Sequence, residues 1–417
     1  MYTFTCSTAT GGDCILPATT MHDRERKILL LAVAAHALVH VFDGMIAPLI
    51  PLLVREFETN YFRIGIVVTI FSILFGLGAL PAGMLADRIG PRRLITGYLL
   101  GAGAAFMAVS MAGSYWGYAV IMGVAGLFCS TYHPAANTII GKEIAARGNA
   151  FGIHGIAGSV GTAAAPVMVA WLGSRMGWRM PHIVFGAVAV LVALYSLRIP
   201  VKADYGEGEE RPRVSLATEI APLASMVAFY AAAALTGLAY RANMTFLPSF
   251  MGERVSVAGV DVVTMGGVMA TLTLLSGAVG QYAGGRLVDR FSPDRLYMIA
   301  LSGSTLFLLL MILGNAVILV LSAVVFAFFY FMVQPIQNDM LARYIPSERL
   351  GMAYGIHFLF VFGAGSFGGA GAGFIADRAG LGAVFIASIV CFLLSMVLIG
   401  FMIRNRHHRP GGLPGRG

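Results

Sequence analysis

Three ionisable side chains interrupt one apolar stretch near the start of the chain: His36, His40 and Asp43 in the sequence HALVHVFDG. Their i, i+4, i+7 spacing places them on one face of a helix. Imidazole changes charge near neutral pH, and the titration of a neighbouring carboxylate is coupled to that change. The same groups can also bind a transition metal. An ionisable group inside a bilayer costs about 2.5–3.5 kcal/mol on insertion scales. We therefore expect this face to line the interior of a helical bundle.

Other polar side chains recur inside apolar segments, and we predict that they form a substrate- or proton-binding site with this first group. Arg241 is a permanent cation at predicted membrane depth, which either pairs with an acid such as Asp43 or binds an anionic substrate. His133 has a second interpretation as a hydrogen-bonded packing residue. The remaining members of the predicted site are Asn137, Tyr240, Asn243, Gln334, Gln337 and Asn338.

The composition indicates that lipid surrounds most of the chain. Of 417 residues, 58% are hydrophobic and 12% are charged, and the mean hydropathy is +0.80. A soluble domain carries about 25% charged residues. The net charge of +8 comes from basic residues in short loops, which is typical of membrane proteins and does not indicate a nucleic-acid partner. The four cysteines show no metal or disulfide spacing.

Apolar runs long enough to cross a bilayer predict an all-α membrane protein with twelve transmembrane helices. A spanning helix needs about 20 apolar residues. The runs lie near 28–54, 62–86, 94–113, 115–140, 149–174, 180–199, 219–250, 260–288, 295–314, 316–342, 350–376 and 380–403.

A charged stretch, KADYGEGEERPR at 202–213, separates the runs into two groups of six. The predicted organisation is an N-terminal tail (1–27), a first six-helix bundle (28–199), a central loop (200–218), a second bundle (219–403) and a C-terminal tail (404–417). Most of the 28 lysines and arginines fall on the side of the termini. The positive-inside rule therefore predicts that both tails and the central loop are cytoplasmic.

The two predicted bundles resemble each other in sequence at an offset of about 200 residues. HPAAN at 133–137 matches QPIQN at 334–338, and AFGIHG at 150–155 matches AYGIHF at 353–358. Such a duplication predicts two homologous bundles that rock against each other around a site at their interface, as in an alternating-access transporter.

The stretch GMLADRIGPRRLI, residues 83–95, resembles the loop signature of the major facilitator superfamily, G-x-L-A-D-R-x-G-R-R-x-x-L. The resemblance implies a transporter in the bacterial inner membrane with no cofactor, driven by an ion gradient such as that of protons. It also implies a monomer whose partners are lipid and a small-molecule substrate.

This loop and its weaker repeat, GRLVDRFSPDR at 285–295, predict a cytoplasmic gate. Gly83 would allow close helix approach, Asp87 would accept hydrogen bonds from a helix N-terminus, and arginines would pair across the interface. Asp339 lies four residues before Arg343, which is the spacing of a helical ion pair. The other predicted gate residues are Arg88, Arg92, Gly285, Asp289 and Arg290.

Within that superfamily, the first half is most similar to the fosmidomycin-resistance-type efflux group. The similarity rests on His40 and Asp43, on the Tyr-His-Pro sequence at 132–134, and on the glycine-rich stretch 152–166. It implies an efflux-type carrier. Together with Arg241 and the titratable histidines, it leads us to expect a proton-coupled antiporter that exports a small organic solute, an anion if Arg241 binds it, and we expect no metal. The alternatives are a transition-metal transporter that uses His36, His40 and Asp43, and a membrane receptor on the same scaffold. The sequence contains no nucleophile–base pair and no nucleotide-binding loop, so we do not expect an enzyme.

Overall fold

The computed structural model describes residues 22–145, 147–199, 223–345, 353 and 356–407. The predicted N-terminal tail is thus described from residue 22 only, and the central loop 200–218 and the C-terminal residues 408–417 lie outside the described residues. The α-helices are α1 (Asp23–Gly44), α2 (Ile46–Glu56), α3 (Tyr61–Ile89), α4 (Pro91–Val109), α5 (Tyr115–Cys129), α6 (Tyr132–Glu143), α7 (Arg147–Met176), α8 (Arg179–Ser196), α9 (Leu223–Arg254), α10 (Val262–Leu287), α11 (Pro293–Leu313), α12 (Ala316–Tyr344), α13 (Gly368–Ala379) and α14 (Leu381–His407).

The predicted all-α membrane architecture is confirmed. Within the described residues, 11 helical segments are long and apolar enough to cross a bilayer. α1 with α2 forms one of these segments, and α5 with α6 forms another. The predicted span 94–113 corresponds to α4, a 19-residue helix that is not among the 11.

Local sequence signals explain where many of the helices begin and end. Asparagine, serine or aspartate precedes several helices, and its side chain accepts a hydrogen bond from a backbone N–H of the first turn. These capping residues are Asn60, Ser114, Asp261 and Asn315. Glycines with positive φ follow α3, α7 and α13, where a residue with a Cβ would be strained.

Two irregular segments lie at the middle of the bundle. α1 ends at Gly44 and α2 begins at Ile46, because Pro48 has no N–H to donate to the carbonyl of Gly44. The break follows Asp43 directly. The chain before α13 forms a π-helical turn at Leu359–Ala364 and a 3-10 turn at Gly365–Phe367. π-Helical turns inside helices often occur at functional sites.

The helices before residue 200, α1–α8, form a first set, and α9–α14 form a second set. The two sets meet mainly where α3 packs on α13 and where α7 packs on α10. Small residues permit the first contact: a Cβ on Gly65 would collide with the backbone of Gly369, and one on Gly373 would collide with Tyr61. We call the end of the bundle that carries loops 57–60, 177–178 and 255–261 the closed end.

Towards the opposite end, several helices have space beside them. A Cβ added at Gly76, Gly152, Gly155 or Gly285 would have no neighbour within 4 Å among the residues that the structure describes. Among the described residues, the hydrogen bonds that join the two sets lie at the closed end and near the middle of the bundle.

Candidate functional site

A cavity lies between the two sets at the level of the break between α1 and α2. The first set contributes α1, α2, α3 and α7 to its wall, and the second set contributes α9 and α10. Much of the wall is apolar, and its polar lining side chains are His40, Asp43, Thr162, Tyr240, Arg241 and Thr245. An apolar cavity with a few polar groups is typical of a small-molecule site.

An ion pair crosses this cavity. Nη1 of Arg241 donates to Oδ1 of Asp43 at 3.0 Å. The Arg241 side chain is 12% exposed and that of Asp43 is 26% exposed. The pair joins α1 to α9, so it links the two sets. Of the two partners that the sequence allows for Arg241, the structure presents Asp43.

Three of the predicted histidines converge beside the cavity. Nε2 of His36 lies 3.2 Å from Nε2 of His40. The His133 ring centroid lies 5.3 Å from that of His36 and 5.8 Å from that of His40. One ring nitrogen from each of the three falls within 4.8 Å of the others. We call these three residues the histidine cluster.

The hydrogen bonds of His36 define its tautomer. Its Nδ1 lies 2.6 Å from the backbone oxygen of His154. A carbonyl oxygen accepts only, so Nδ1 carries the proton, and in the neutral ring Nε2 presents a lone pair. Nε2–H of His40 therefore donates to Nε2 of His36.

Residues of α6 and α7 hold the histidine cluster in place. The ring of His154 stacks on that of His36, with centroids 3.9 Å apart. Nε2 of His154 donates to the Tyr132 hydroxyl at 2.8 Å, and this hydroxyl donates to the carbonyl of Ala32 at 2.6 Å. A Cβ on Gly158 would lie 2.5 Å from Cε1 of His36, so glycine leaves room for the ring.

The other predicted site residues lie away from the cavity lining, apart from Tyr240. Asn137 is exposed one turn after His133. Asn243 is buried and accepts a hydrogen bond from Ser388 of α14 at 2.8 Å. Two residues apart on a helix, Arg241 and Asn243 point in nearly opposite directions, so they cannot both face the cavity.

The polar residues of α12 bond within the second set. Gln337 is buried, and its Nε2 donates to the Tyr297 hydroxyl at 3.0 Å and to Thr236 at 3.3 Å. Gln334 is exposed and accepts from Gln281 at 2.9 Å. Asn338 is half-buried on the same helix.

The predicted gate residues lie at the end opposite the closed end. The backbone of Gly83 and Asp87 belongs to α3, and the Asp87 side chain lies outside the described part of the chain. Arg88, Asp289 and Arg290 are exposed, and Gly285 has open space beside it.

The two gate arginines with described bonds pair inside their own sets. Arg92 donates to the carbonyl of Ser196 at 2.8 Å. Arg343 donates to Asp339 at 2.6 Å, as its spacing predicts, and to the carbonyl of Val288 at 2.8 Å. These contacts brace each set separately.

Sequence reasoning missed the contacts at the closed end. The Asp377 carboxylate accepts from the N–H groups of Tyr61 at 2.9 Å and Phe62 at 2.8 Å, so α13 of the second set caps α3 of the first. A signal for Asp377 exists, because GFIADRAG at 373–380 repeats the Gly-x-x-Ala-Asp-Arg-x-Gly pattern of GMLADRIG at 83–90.

A second contact at the closed end joins α7 to α10. Oγ of Ser174 lies 2.8 Å from Oγ1 of Thr264, which donates to Asp261 at 2.7 Å. Burial disfavours the charged form of Asp261, but the backbone and side-chain hydrogen bonds from Thr264 outweigh it and lower the pKa of Asp261 below its ordinary value.

A membrane-spanning helical chain whose two sets enclose an apolar cavity with a few polar groups has the architecture of a membrane transporter. The family model of the Major Facilitator Superfamily matches residues 32–276 and 230–417. The chain belongs to the major facilitator superfamily, a family of transporters rather than enzymes. It is a multi-pass protein of the bacterial inner membrane.

Several curated proteins are similar to this chain. The fosmidomycin resistance protein of Escherichia coli K12 is 24% identical over 398 residues, which cover 89% of this chain and 92% of that protein. The probable sulfoacetate transporter SauU of Cupriavidus necator is 26% identical over 62% of this chain and 65% of its own length. The probable L-galactonate transporter of E. coli K12 is 26% identical over 44% of this chain, a match that spans 41% of that protein.

Solved structures share the fold. A bacterial homologue of the human lysosomal transporter Spinster, in an inward-facing and unoccupied conformation, superposes with a TM-score of 0.75 at 17% identity, covering 94% of this chain and 99% of that one. The nucleoside transporter NupG, as the D323A mutant, superposes with a TM-score of 0.74 at 14% identity, covering 91% and 99%. Neighbours at this level of identity establish the fold.

Proposed function

We propose that this protein is a proton-coupled secondary transporter that moves a small organic anion together with a proton by alternating access. It works as a monomer with twelve spans, of which α4 is one, in two homologous six-helix bundles, 28–199 and 219–403, joined by the loop 200–218. Both tails, 1–27 and 404–417, and this loop are cytoplasmic. The observation that carries the proposal is the Arg241–Asp43 ion pair, which lines the cavity and joins the two sets of helices.

The orientation follows from charge. Arg88, Arg92 and Arg93 lie at the end opposite the closed end, together with Lys142, and the positive-inside rule assigns such an end to the cytoplasm. The closed end is then periplasmic, and the cavity faces the cytoplasm in this state. The similarity to an inward-facing transporter structure supports this assignment.

Arg241 accounts for an anionic substrate. A guanidinium inside the membrane binds carboxylate, sulfonate or phosphonate groups with charge-assisted hydrogen bonds. The names of two relatives, the probable sulfoacetate and L-galactonate transporters, describe organic anions. Tyr240 and Thr245 on either side of Arg241 supply further polar groups in the same wall.

Asp43 accounts for coupling to protons. An anion that binds Arg241 displaces Asp43 and leaves its carboxylate without a partner beside an apolar cavity, and an unpaired buried charge is costly unless it is neutralised. A proton that neutralises it occupies the same state as the anion and crosses with it, so an inward proton gradient drives the anion inward. The antiport and export expected from the resemblance differ, because there the proton and the solute bind alternately.

A binding screen tests the proposal. We would measure thermal unfolding of the purified protein with sulfoacetate, L-galactonate and fosmidomycin at two pH values, because a ligand stabilises the state it binds. We expect at least one anion to stabilise the wild type but not the variant Arg241→Gln. Arg286→Gln is the matched control, because Arg286 is an exposed arginine beside Tyr282.

Equal stabilisation of the wild type and Arg241→Gln by the same anion would contradict the role of Arg241. If no anion stabilises the wild type, and none moves across reconstituted vesicles under a proton gradient, the transport proposal is wrong and the receptor alternative takes its place.

A further inference from the structure

The histidine cluster holds three ring nitrogens near one point beside the cavity. We propose that His36, His40 and His133 bind one divalent transition-metal ion of the Zn²⁺ class. The sequence alone offers His36, His40 and Asp43 as an alternative set of metal ligands. In the structure Asp43 is paired with Arg241, and the third nitrogen comes from α6. This inference does not depend on the proposed transport function.

The spacing of the first two nitrogens fits a metal. Two imidazoles that bind Zn²⁺ at about 2.0–2.1 Å in tetrahedral geometry have nitrogens about 3.3–3.4 Å apart. Nε2 of His36 and Nε2 of His40 are 3.2 Å apart. A bound ion would replace the hydrogen bond between them, and His40 would bind it as the tautomer that carries its proton on Nδ1. One ring nitrogen of His133 lies within 4.8 Å of a ring nitrogen of each of the other two. The His133 ring would have to move towards them to bind the same ion, and this ring is half-buried.

The chemistry of His36 also fits a ligand. Its Nδ1–H donates to the carbonyl of His154, which leaves the Nε2 lone pair directed at the cluster. A metal-binding histidine almost always donates its other N–H to a carbonyl, a carboxylate or water. The stacked ring of His154 and the space at Gly158 fix this orientation before any ion arrives.

The cluster has an entry route. His40 lines the cavity, so an ion reaches the ligands from the cavity. Three protein ligands leave the fourth tetrahedral position open to water or to an anionic group.

Among the described residues, the second set lacks this arrangement. At the offset of about 200 residues, Thr236 corresponds to His36, Tyr240 to His40, and Gln334 to His133. The convergence of three imidazoles is therefore specific to the first set.

Calorimetric titration of the purified protein with Zn²⁺ or Co²⁺ alone tests the proposal, with a purification tag that contains no histidine. We expect saturable binding of one ion per chain and, for Co²⁺, the visible absorption of a tetrahedral complex. His133→Gln should weaken binding by about tenfold or more, since loss even of an outer-shell partner weakens metal binding by about 10–100-fold. His357→Gln is the matched control, because His357 is a buried histidine of the second set.

A second variant, Gly158→Ala, displaces the His36 ring without removing a ligand, and it should also weaken binding. Thermal unfolding of each variant without metal confirms that it is folded. Binding by His133→Gln that equals binding by the wild type would overturn the proposal, and so would the absence of saturable Zn²⁺ and Co²⁺ binding to the wild type.

Discussion

Arg241 and Asp43 lie 198 residues apart in the chain, yet their side chains form a 3.0 Å ion pair across the cavity. The pair joins the two sets of helices at the level of the α1–α2 break. Movement of one set against the other must therefore lengthen, rotate or break this pair. Any anion or proton that competes for either partner changes the cost of that movement.

The ion pair makes a prediction about stability. Removing one partner of a buried pair leaves an uncompensated charge and costs about 3–5 kcal/mol, and less where water reaches the charge. We expect Asp43→Asn to lower the thermal unfolding temperature, measured by differential scanning fluorimetry in detergent. The double variant Asp43→Asn/Arg241→Gln should recover part of that loss. Additive losses in the double variant would show that the two residues act independently.

The contact between Ser174 and Thr264 predicts a disulfide at the closed end. Their side-chain oxygens are 2.8 Å apart, which is compatible with the Cβ separation of about 3.5–4.5 Å in a disulfide. In a background without the native cysteines, Ser174→Cys/Thr264→Cys should cross-link under mild oxidation. Because the bridge joins the two sets, transport in vesicles should stop and should return after reduction.

The single variants Ser174→Cys and Thr264→Cys, treated with the same oxidant, are the controls for that cross-link. Full transport by the cross-linked protein would show that the closed end does not need to open during the cycle.

Close packing of α3 on α13 predicts different outcomes for two neighbouring glycines. A Cβ at Gly373 would meet the backbone of Tyr61 and Phe62, whereas one at Gly371 would meet nothing within 4 Å. We expect Gly373→Ala to weaken the closed end and to lower the unfolding temperature. Gly371→Ala should have a small effect or stabilise slightly, because alanine favours a helix by about 1 kcal/mol. Equal effects of the two variants would contradict the packing at this contact.

Much of the architecture is predictable from the sequence because the bilayer imposes a simple rule. A chain in lipid must satisfy its backbone hydrogen bonds internally, so long apolar runs become helices. The stripe of His36, His40 and Asp43 is equally predictable, because helical spacing alone places these residues on one face. The structure confirms the helices and places His40 and Asp43 of this stripe in the cavity wall.

The partners of these residues are less predictable, because they depend on which helices become neighbours. His154 contacts His36 from α7, more than 100 residues along the chain, and Asp377 caps α3 from the opposite set. The direction in which each side chain leaves its helix also decides its partners. Asn243 is two residues from Arg241 but bonds to Ser388 on another side of α9. Spacing within one segment cannot show which neighbour each side meets.

The placement of Gln337 predicts a role in stability. Gln337→Leu leaves the hydroxyl groups of Tyr297 and Thr236 without this amide donor, and an unsatisfied buried polar group costs about 1–3 kcal/mol. We expect a lower unfolding temperature with unchanged affinity for the stabilising anion. Gln334→Leu, at an exposed position on the same helix, is the control. A loss of anion affinity in Gln337→Leu without a loss of stability would show that Gln337 belongs to the substrate site.

The internal pH of proteoliposomes tests the central claim most directly, with a pH-sensitive dye in the lumen and the stabilising anion added outside. The linkage between Arg241 and Asp43 predicts that the lumen acidifies as the anion enters with wild-type protein. It also predicts that Asp43→Asn gives no such acidification. Anion entry with no pH change, or an equal pH change with Asp43→Asn, would contradict the account. Alkalinisation of the lumen would establish exchange in place of cotransport.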